Sequence, residues 1–311
     1  MNDALLIFYL RSGRRKARTV ATAEALSLLR DLQATAPAGG PLSEMGGLFW
    51  VSLPWNALET ALPRLPRLGY TYAVDVLEPI SEHPSSFDRA RDAQEQLVRW
   101  HHKLYRLARA YKEDAQAVRE SAPDRRTFLL ETSAGTIRPV RGYRGDGRPS
   151  SRRGLPVCDA RMLVNLVAAA PGTSLLDPFA GIGGIVIEAL ASGCRVTSAD
   201  CDPTLQAGLT HLGAQHAVAD ARRLPWAAET FDAIATEPPY HEEAKPMVIE
   251  ALREMYRVLK TGGRLAILCV PGQADDLRKE GESLGLSWYL DWPVNRKGLD
   301  VVVLAGEKEE R

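Results

Sequence analysis

The second half of the sequence predicts an α/β fold, in which a mainly parallel sheet carries helices on both faces. From Gly154 onward, short apolar runs alternate with amphipathic segments of helical period, which is the order expected for a parallel sheet. One apolar run, Ser174–Asp177, leads through a glycine-rich turn directly into a helix, as in nucleotide-binding units. Because such sheets bind ligands beyond the carboxyl ends of their strands, we expect the chemistry at those ends.

Hydrophobic periodicity and Gly or Pro breaks define the elements of this half. The predicted strands are Ser174–Asp177, Arg195–Ala199, His216–Ala219, Phe231–Thr236, Arg264–Val270 and Val301–Ala305. The predicted helices are Ala160–Ala170, Ile182–Ser192, Thr204–Leu212, Ala244–Leu259 and Ala274–Leu284. We therefore assign residues 154–311 to one α/β domain.

Residues 1–80 predict a small α+β domain. Its predicted strands are Leu5–Leu10, Leu48–Leu53 and Tyr70–Leu77, and its predicted helices are Thr22–Leu32 and Trp55–Leu62. Residues 81–136 predict a helical connector or a reduced RNA-binding region. Within 87–122, apolar side chains recur every three or four residues, at Leu97, Trp100, Leu104, Leu107 and Tyr111. The basic side chains between them favour a solvated helix face.

Residues 137–153 form the predicted linker between the halves. Six arginines stand against one acid, Asp146, in a stretch rich in Gly and Pro. Arginines with an interleaved tyrosine suit contact with a phosphate backbone, and a plain solvated linker is the alternative. The candidate nucleic-acid contacts are Arg141, Arg144, Arg148 and Arg152.

Composition and charge indicate what type of protein this is and which partner suits it. The 311 residues, 45% hydrophobic and 25% charged, are typical of a globular protein with two domains. Residues 1–153 carry 24 Lys/Arg against 17 Asp/Glu, and the remainder 15 against 22, which favours a polyanion partner for the first half. Four scattered cysteines without a CxxC pair favour a reducing cytoplasm over a zinc site or disulfides. No signal peptide and no apolar run of about 18 residues is present, so we expect no membrane span.

The turn after Asp177 is the first candidate site. Ala180, Gly181 and Gly183 are small enough for the backbone to approach a ligand closely, and the acid before the turn could hold an ammonium group. A tight structural turn is the alternative. Two further acids follow the next strands. Asp200 is placed to accept hydrogen bonds from a ribose diol, 23 residues after Asp177, close to the ~20 expected in dinucleotide folds.

The acids next to these positions have other predicted roles. Asp202 precedes Pro203 and is predicted to cap the following helix. Asp220 could accept a hydrogen bond from an adenine amino group, with a helix cap as the alternative.

The strand Phe231–Thr236 runs into Glu237-Pro238-Pro239-Tyr240, which indicates the reaction class. Two prolines impose a rigid loop with a carbonyl left unpaired. A side-chain oxygen and a proline carbonyl can accept hydrogen bonds from an amine and orient its lone pair, which is catalysis by positioning and electrostatics. The tyrosine can then stack on a base. A structural Pro-Pro turn is the alternative.

These segments resemble the S-adenosylmethionine-dependent amino-methyltransferases, in particular the position-10 tRNA guanine-N2 methyltransferases that are associated with THUMP domains. Asp177-Pro-Phe-Ala-Gly-Ile-Gly-Gly184 is similar to their cofactor loop, and Thr236-Glu-Pro-Pro-Tyr240 to their catalytic Thr-Asp-Pro-Pro-Tyr. Residues 148–166 and the ending Asn295–Leu304 also resemble that family, so the likeness spans roughly residues 137–305.

The resemblance implies a Rossmann-like class I methyltransferase domain with a seven-stranded sheet, S-adenosylmethionine as cofactor and RNA, above all tRNA, as partner. No metal is expected, because transfer from a sulfonium to a positioned amine needs none. The implied catalytic residues are Glu237, Pro238, Pro239 and Tyr240. The implied cofactor-binding residues are Asp177, Phe179, Ala180, Gly181, Gly183, Asp200, Cys201, Asp220 and Ala221.

The sequence departs from the family's pattern at two places. Glu237 stands where the family has aspartate or asparagine, and His241 where it usually has glycine. The first half leaves no room for a complete THUMP domain. The alternatives are therefore a DNA or other amino-methyltransferase, or a cofactor-binding homologue with lost or redirected catalysis. A hydride-transfer dehydrogenase is disfavoured, because it has no use for the Glu-Pro-Pro-Tyr loop. The oligomeric state is left open.

Overall fold

A computed structural model describes residues 3–14, 16–79, 96–113, 127–132, 134–141, 154–296 and 298–310. The chain divides into two units, residues 1–115 and 116–311. In the part of the chain that the structure describes, no helix combines the length and the apolar character needed to cross a membrane.

The first unit is built on a five-stranded antiparallel sheet in the order β2-β1-β3-β5-β4. The strands are β1 Asp3–Leu10, β2 Leu48–Pro54, β3 Thr71–Pro79, β4 Gln96–Trp100 and β5 Lys103–Lys112, and the helices are α1 Arg18–Leu28 and α2 Leu58–Ala61. Leu6 and Phe8 of β1 are fully buried, and Leu5 and Ile7 pack in a second apolar cluster with Trp50. Burial of both faces of β1 explains why its sequence is almost wholly apolar.

The predicted helical connector is wrong in its described part, because residues 96–112 form the hairpin β4–β5. His101 and His102 have φ values of 47° and 62°, a left-handed turn that ends any helix and reverses the chain. In β5, Tyr105 and Leu107 are buried while Arg106 between them is exposed, which is the period of a strand. The apolar residues that suggested one helix belong to two strands, one on each side of this turn, and their spacing across the turn matched a helical period by chance. The predicted boundary at residue 80 therefore falls inside the first unit.

The second unit contains a seven-stranded sheet in the order β10-β9-β8-β11-β12-β14-β13. Its first five strands are parallel, and β14 is antiparallel to both of its neighbours. This confirms the predicted α/β class with a mainly parallel seven-stranded sheet. The strands are β8 Ser174–Asp177, β9 Arg195–Asp200, β10 Gln215–Val218, β11 Phe231–Thr236, β12 Leu259–Cys269, β13 Leu286–Arg296 and β14 Leu299–Lys308.

Helices cover this sheet and bury its central strands. They are α3 Val157–Leu166, α4 Gly184–Ala191, α5 Gln206–Leu212, α6 Lys245–Val258 and α7 Pro271–Leu284. Leu176 of β8 and Ile234 of β11 are fully buried in one core cluster with Leu252 of α6 and Leu277 of α7. This packing on central strands explains the nearly continuous apolar runs of the sequence.

A two-stranded hairpin precedes the large sheet, formed by β6 Thr127–Glu131 and β7 Ile137–Arg141. The predicted linker 137–153 therefore begins with a strand. The hairpin packs against α5, where a Cβ on Gly208 would lie 2.1 Å from the Phe128 ring. Only glycine permits this approach, because a methyl group there would overlap an aromatic ring buried in the unit.

The strand order reverses between β8 and β11, where connections lead away to opposite sides. The two strands are paired in register, Leu175 opposite Ala233 and Leu176 opposite Ile234. Their carboxyl ends therefore lie side by side, and the Thr236 hydroxyl donates a hydrogen bond to Asp177 Oδ1 at 2.8 Å. This is the switch point at which doubly wound sheets bind their ligands.

Candidate active site

The turn between β8 and α4 is a glycine loop with open space beside it. Gly181 and Gly183 have φ values of 49° and 80°, in the left-handed region that favours glycine. A Cβ on Gly183 would lie 2.7 Å from the Leu212 side chain, whereas one on Gly181 would meet no atom within 4 Å. Gly183 is therefore required for packing, and Gly181 leaves the backbone accessible to a ligand. The Ala180 amide donates a 2.9 Å hydrogen bond to the Ala199 carbonyl, which ties the loop to β9.

Asp177 is almost completely buried at the start of this loop. Its Oδ1 accepts hydrogen bonds from the Phe179 amide at 3.3 Å and the Thr236 hydroxyl. No hydrogen bond among the described residues ends on Oδ2. Burial raises the pKa of Asp177 to about 7, and the negative charges of Asp200 and Glu237 add to the shift. A carboxylate with a spare oxygen and an unfavourable burial energy is suited to an ammonium ligand.

If Asp177 binds the ammonium of a methionine moiety, cofactor affinity should depend on pH. Below pH about 7 the carboxyl is protonated, so the ligand must displace a proton. We expect affinity for S-adenosylhomocysteine to fall up to about tenfold per pH unit below that value and to level off above it. Isothermal titration calorimetry between pH 5.5 and 8.5 (roughly the range that brackets this transition) measures this. Asp177→Asn should bind more weakly and with a flat profile. A flat profile for the unaltered protein would contradict the assignment.

Asp200 ties the glycine loop to the end of β9. Its Oδ2 accepts from the Gly181 amide at 2.8 Å, and its Oδ1 from the Asp202 amide at 3.0 Å. Each carboxylate oxygen can accept more than one bond, so both retain capacity for a ribose diol. Asp202 itself caps the following turn, with Oδ1 accepting from the Thr204 amide at 2.9 Å, as predicted. The exposed Cys201 lies between these acids, and its pKa is raised by burial and by the Asp200 charge.

Asp220 lies beyond β10, where an adenine ring would be bound. Its Oδ1 accepts from the Arg222 amide at 2.9 Å, and its carboxylate forms an ion pair with the Arg222 guanidinium. Hydrogen bonding to Arg222 holds the pKa of Asp220 below its usual value. Asp220 thus closes a turn; it does not cap a helix, which was the alternative interpretation, because the described residues between β10 and β11 contain no helix. Asp220 remains partly exposed, and Ala221 beside it is buried.

The loop after β11 brings Glu237 and Tyr240 together. Glu237 Oε1 accepts hydrogen bonds from the Tyr240 hydroxyl and from Arg296 Nη1, the latter at 2.9 Å. Oε2 receives no hydrogen bond among the described residues. Burial raises the pKa of Glu237 above its usual value, and Arg296 and Tyr240 oppose that shift. Burial also raises the pKa of Tyr240, with the Glu237 charge as the next cause, so the phenol stays protonated as a donor.

The two proline carbonyls of the loop have different surroundings. The Gln273 amide, 2% exposed at the start of α7, donates to the Pro239 carbonyl at 2.8 Å. No hydrogen bond among the described residues ends on the Pro238 carbonyl. The predicted unpaired carbonyl is therefore that of Pro238, next to Glu237. The Gln273 bond also pins the loop to α7 from the other side.

Sequence reasoning missed Arg296, Asp159 and Gln273 as site residues. Arg296 was noted only as part of the terminal segment that resembles the family, and the other two carried no signal. All three contact the site through tertiary structure, as in the ion pair of Asp159 with Arg296 at 3.0 Å. The predicted nucleic-acid contacts Arg144, Arg148 and Arg152 lie outside the described residues, and Arg141 is the last residue of β7. Among the described residues, no group of three or more side chains is arranged to hold a metal ion.

Comparison with known proteins identifies the domain. Residues 176–267 match the family model described as "Methyltransferase domain". The tRNA (guanine(10)-N2)-dimethyltransferase of Pyrococcus abyssi is 37% identical over 152 residues, 42% of this chain and 45% of that protein. The enzyme of the same name from Methanothermobacter thermautotrophicus is 37% identical over 122 residues, covering 35% and 36% of the two chains. The chain thus spans less than half the length of these curated relatives.

A solved structure extends the likeness in fold to almost the whole chain. TrmN from Thermus thermophilus aligns with 98% of this chain and 99% of its own, with a TM-score of 0.52 and 18% identity. In the seven-stranded sheet of this chain, Asp177 and Asp200 end parallel strands and Glu237 directly follows another. The second unit is therefore a Rossmann-like methyltransferase domain, of the class that uses S-adenosylmethionine as methyl donor.

Proposed function

We propose that this protein is an S-adenosylmethionine-dependent RNA methyltransferase that methylates an exocyclic nucleobase amine, guanine N2 in tRNA. The observation that carries the proposal is the pair of free acceptors at the switch point. Glu237 Oε2 and the Pro238 carbonyl are adjacent in the chain and face no partner among the described residues. An amine with two N–H groups would satisfy both, which suits NH₂ better than a hydroxyl or a carbon.

The cofactor supplies an electrophilic methyl group, and the described residues fit its three parts. Asp177 would hold the ammonium of the methionine moiety through Oδ2. The open space beside Gly181 would admit a ligand against the backbone, and Asp200 would accept hydrogen bonds from the ribose hydroxyls. Asp220 and Ala221 would lie at the adenine end of the site.

The work of the protein is to orient the amine. Hydrogen bonds from the amine to Glu237 and Pro238 draw its lone pair away from the aromatic ring of the base. An ionised Glu237 also stabilises the positive charge that develops on the nitrogen as the methyl group is transferred. Tyr240 is held by its hydroxyl against Glu237, which fixes the ring for contact with a flipped base. After transfer the cationic nitrogen releases one proton, which the Glu237 carboxylate would accept through Oε2 and pass to solvent.

tRNA is proposed as the substrate because two of the curated relatives act on guanine 10 of tRNA, as their names state. The basic first half and the arginine strip of residues 137–153 supply charge for a polyanion. A tRNA substrate would place the enzyme in the cytoplasm.

The test is methyl transfer from radiolabelled S-adenosylmethionine into total tRNA, total rRNA and duplex DNA, followed by nucleoside analysis. Label in tRNA as N2-methylguanosine or its dimethyl form would support the proposal. Label in DNA as a methylated adenine or cytosine amine would replace RNA by DNA as substrate. Bound cofactor with no labelled nucleic acid would point to a homologue whose catalysis is lost or redirected.

Reversing the charge of Arg141, Arg144 and Arg148 to glutamate should weaken tRNA binding uniformly across sequences. If three phosphate contacts are lost, the slope of log K against log salt should decrease by roughly three. Fluorescence anisotropy with labelled tRNA at several salt concentrations measures both. The exposed Arg253 on α6, changed in the same way, is the control for added negative charge. An unaltered slope of log K against log salt would show that residues 137–153 do not contact the tRNA backbone and serve as a linker.

A further inference from the structure

Four side chains from three elements form a connected polar network at the catalytic loop, in which Arg296 pairs with two acids. Asp159, in the first turn of α3, is fully buried and forms an ion pair with Arg296, with 3.0 Å between Oδ2 and Nε. Arg296, the last residue of β13, is 12% exposed and donates from Nη1 to Glu237 Oε1 at 2.9 Å. The same nitrogen lies 3.1 Å from the Tyr240 hydroxyl. Asp159, Arg296, Glu237 and Tyr240 are thus connected through the guanidinium of Arg296.

Arg296 links a buried acid to the catalytic loop, and we call this link, from Asp159 through Arg296 to Glu237, the brace. One edge of its guanidinium pairs with Asp159, whose side chain is fully buried inside the unit. Its other edge reaches the loop that carries Glu237. Burial lowers the pKa of Arg296, but the Asp159 and Glu237 carboxylates more than offset this, so its pKa is raised and it stays charged. A planar, permanently charged fork pinned at one end can fix a carboxylate at the other end in position and direction.

The two carboxylate oxygens of Glu237 differ in their hydrogen bonds. Oε1 receives both Arg296 and Tyr240, whereas no described residue donates to Oε2. The longer side chain of glutamate is what the brace requires. An aspartate would withdraw the carboxylate from Arg296 by about one methylene, more than an ångström.

We propose that Arg296, anchored by Asp159, is a positioning residue that clamps Glu237 through Oε1 and thereby presents Oε2 to the substrate amine. Glutamate at position 237 and arginine at position 296 then depend on each other, because the contact with Arg296 holds the longer glutamate side chain in the position needed for catalysis. This inference rests on the proposed function, since it assigns the acceptor for the amine. It also makes a claim about the conformation of Glu237 that can be tested without turnover.

The central test compares Arg296→Gln and Arg296→Lys with the unaltered enzyme. Loss of the brace misplaces the carboxylate, so we expect Arg296→Gln to lower kcat between about 10- and 100-fold. KM for tRNA and Kd for S-adenosylhomocysteine should change little, because in this proposal Arg296 acts only through Glu237. Arg296→Lys keeps the charge without the fork and should recover part of the loss. Asp159→Asn should resemble Arg296→Gln in a weaker form.

The pH profile provides a readout that a structural role would not move. The charged or titratable groups around Glu237 are Arg296, Tyr240, Asp159 and Asp177. Glu237 must be ionised to stabilise the positive charge that develops on the amine nitrogen. Without the Arg296 charge its pKa rises further, so the acid limb of kcat should move to higher pH by about one unit. Arg296→Gln should therefore lose more activity on the acid limb of the profile than on its alkaline plateau.

Arg264→Gln is the matched control for loss of a buried arginine. Arg264 is 14% exposed and forms a 3.0 Å ion pair with Glu307, but it lies on β12 opposite Ala233, away from the carboxyl ends. Its removal should lower thermal stability while leaving kcat and the acid limb in place. A double-mutant cycle with Glu237→Asp completes the set. Because aspartate already releases the brace, Arg296→Gln should cost little in that background.

Loss of kcat with Arg296→Gln, a shifted acid limb and non-additivity with Glu237→Asp together would support the proposal. A loss no larger than that of Arg264→Gln, or losses that multiply in the double variant, would overturn it. If the unaltered protein methylates no nucleic acid, the proposed function fails instead. Crystal structures of the unaltered protein and Arg296→Gln then decide the positioning claim, since a displaced Glu237 carboxylate supports it and an unmoved one overturns it.

Discussion

Glu237→Gln should lower kcat for tRNA methylation by about 10²- to 10³-fold, with KM for tRNA nearly unchanged. Glutamine has the same shape, but its amide lacks the negative charge that stabilises the developing positive nitrogen. It would also place a donor or a weaker acceptor opposite Arg296. Single-turnover transfer with radiolabelled S-adenosylmethionine measures the chemical step directly. Affinity for S-adenosylhomocysteine, measured by calorimetry, should stay within about twofold, because the carboxylate faces the amine.

Two companion variants sharpen this experiment. Glu237→Asp keeps the charge but shortens the reach to Arg296, so we expect a loss on the order of a hundredfold. Glu243→Gln, at an exposed glutamate just beyond the same loop, should leave the rate unchanged. Full activity of Glu237→Gln would show that Glu237 is not the acceptor. Activity that appears only in Glu237→Asp would show that catalysis by the natural glutamate was lost or redirected.

Asp200→Ala should nearly abolish cofactor binding. The substitution removes the proposed acceptor for the ribose diol and also the acceptor for the Gly181 amide, which shapes the glycine loop. Each hydrogen bond to a charged group contributes about 1.5–3 kcal/mol, so loss of two predicts a decrease in affinity of more than about a hundredfold. Calorimetry with S-adenosylhomocysteine measures the affinity, and thermal denaturation checks that the variant is folded.

Asp202→Ala is the control for this effect, because Asp202 is two residues away and caps the next turn. Loss of the cap should cost about 1 kcal/mol of stability and only a small change in affinity. If Asp200→Ala binds as tightly as Asp202→Ala, the ribose assignment is wrong and Asp200 has a purely structural role in the loop.

The α/β half of the molecule was predictable because its local signals agree with its tertiary structure. The bounds predicted for β8 and β11 coincide with those observed, since each is a short buried strand that ends at an acid or a Gly/Pro-rich turn. The helix predicted over residues 87–122 is wrong over residues 96–113, the part that the structure describes, for the opposite reason. Apolar residues on two antiparallel strands matched helical spacing, and only the left-handed turn at His101 and His102 separates the two possibilities.

The last strands illustrate a further limit. β13 contains charged and aromatic residues on exposed positions and lies at the edge of the sheet, so it has neither a continuous apolar run nor a clean alternation. Its existence was implied only by the resemblance of the final hairpin to a known family. Its pairing with β14 is nevertheless what places Arg296 beside the catalytic loop.

Local signals in the sequence were enough to predict six of the seven strands of the sheet, the glycine loop and the chain positions of the acids that follow the strands. These depend on neighbouring residues, because apolar runs, turns and the residue after a strand are local features. Only the tertiary structure decided which atoms of these acids are occupied. Glu237 and Arg296 are 59 residues apart, and their pairing depends on sheet order and on burial. Whether a carboxylate is clamped or free is set by groups that meet only when the chain has folded.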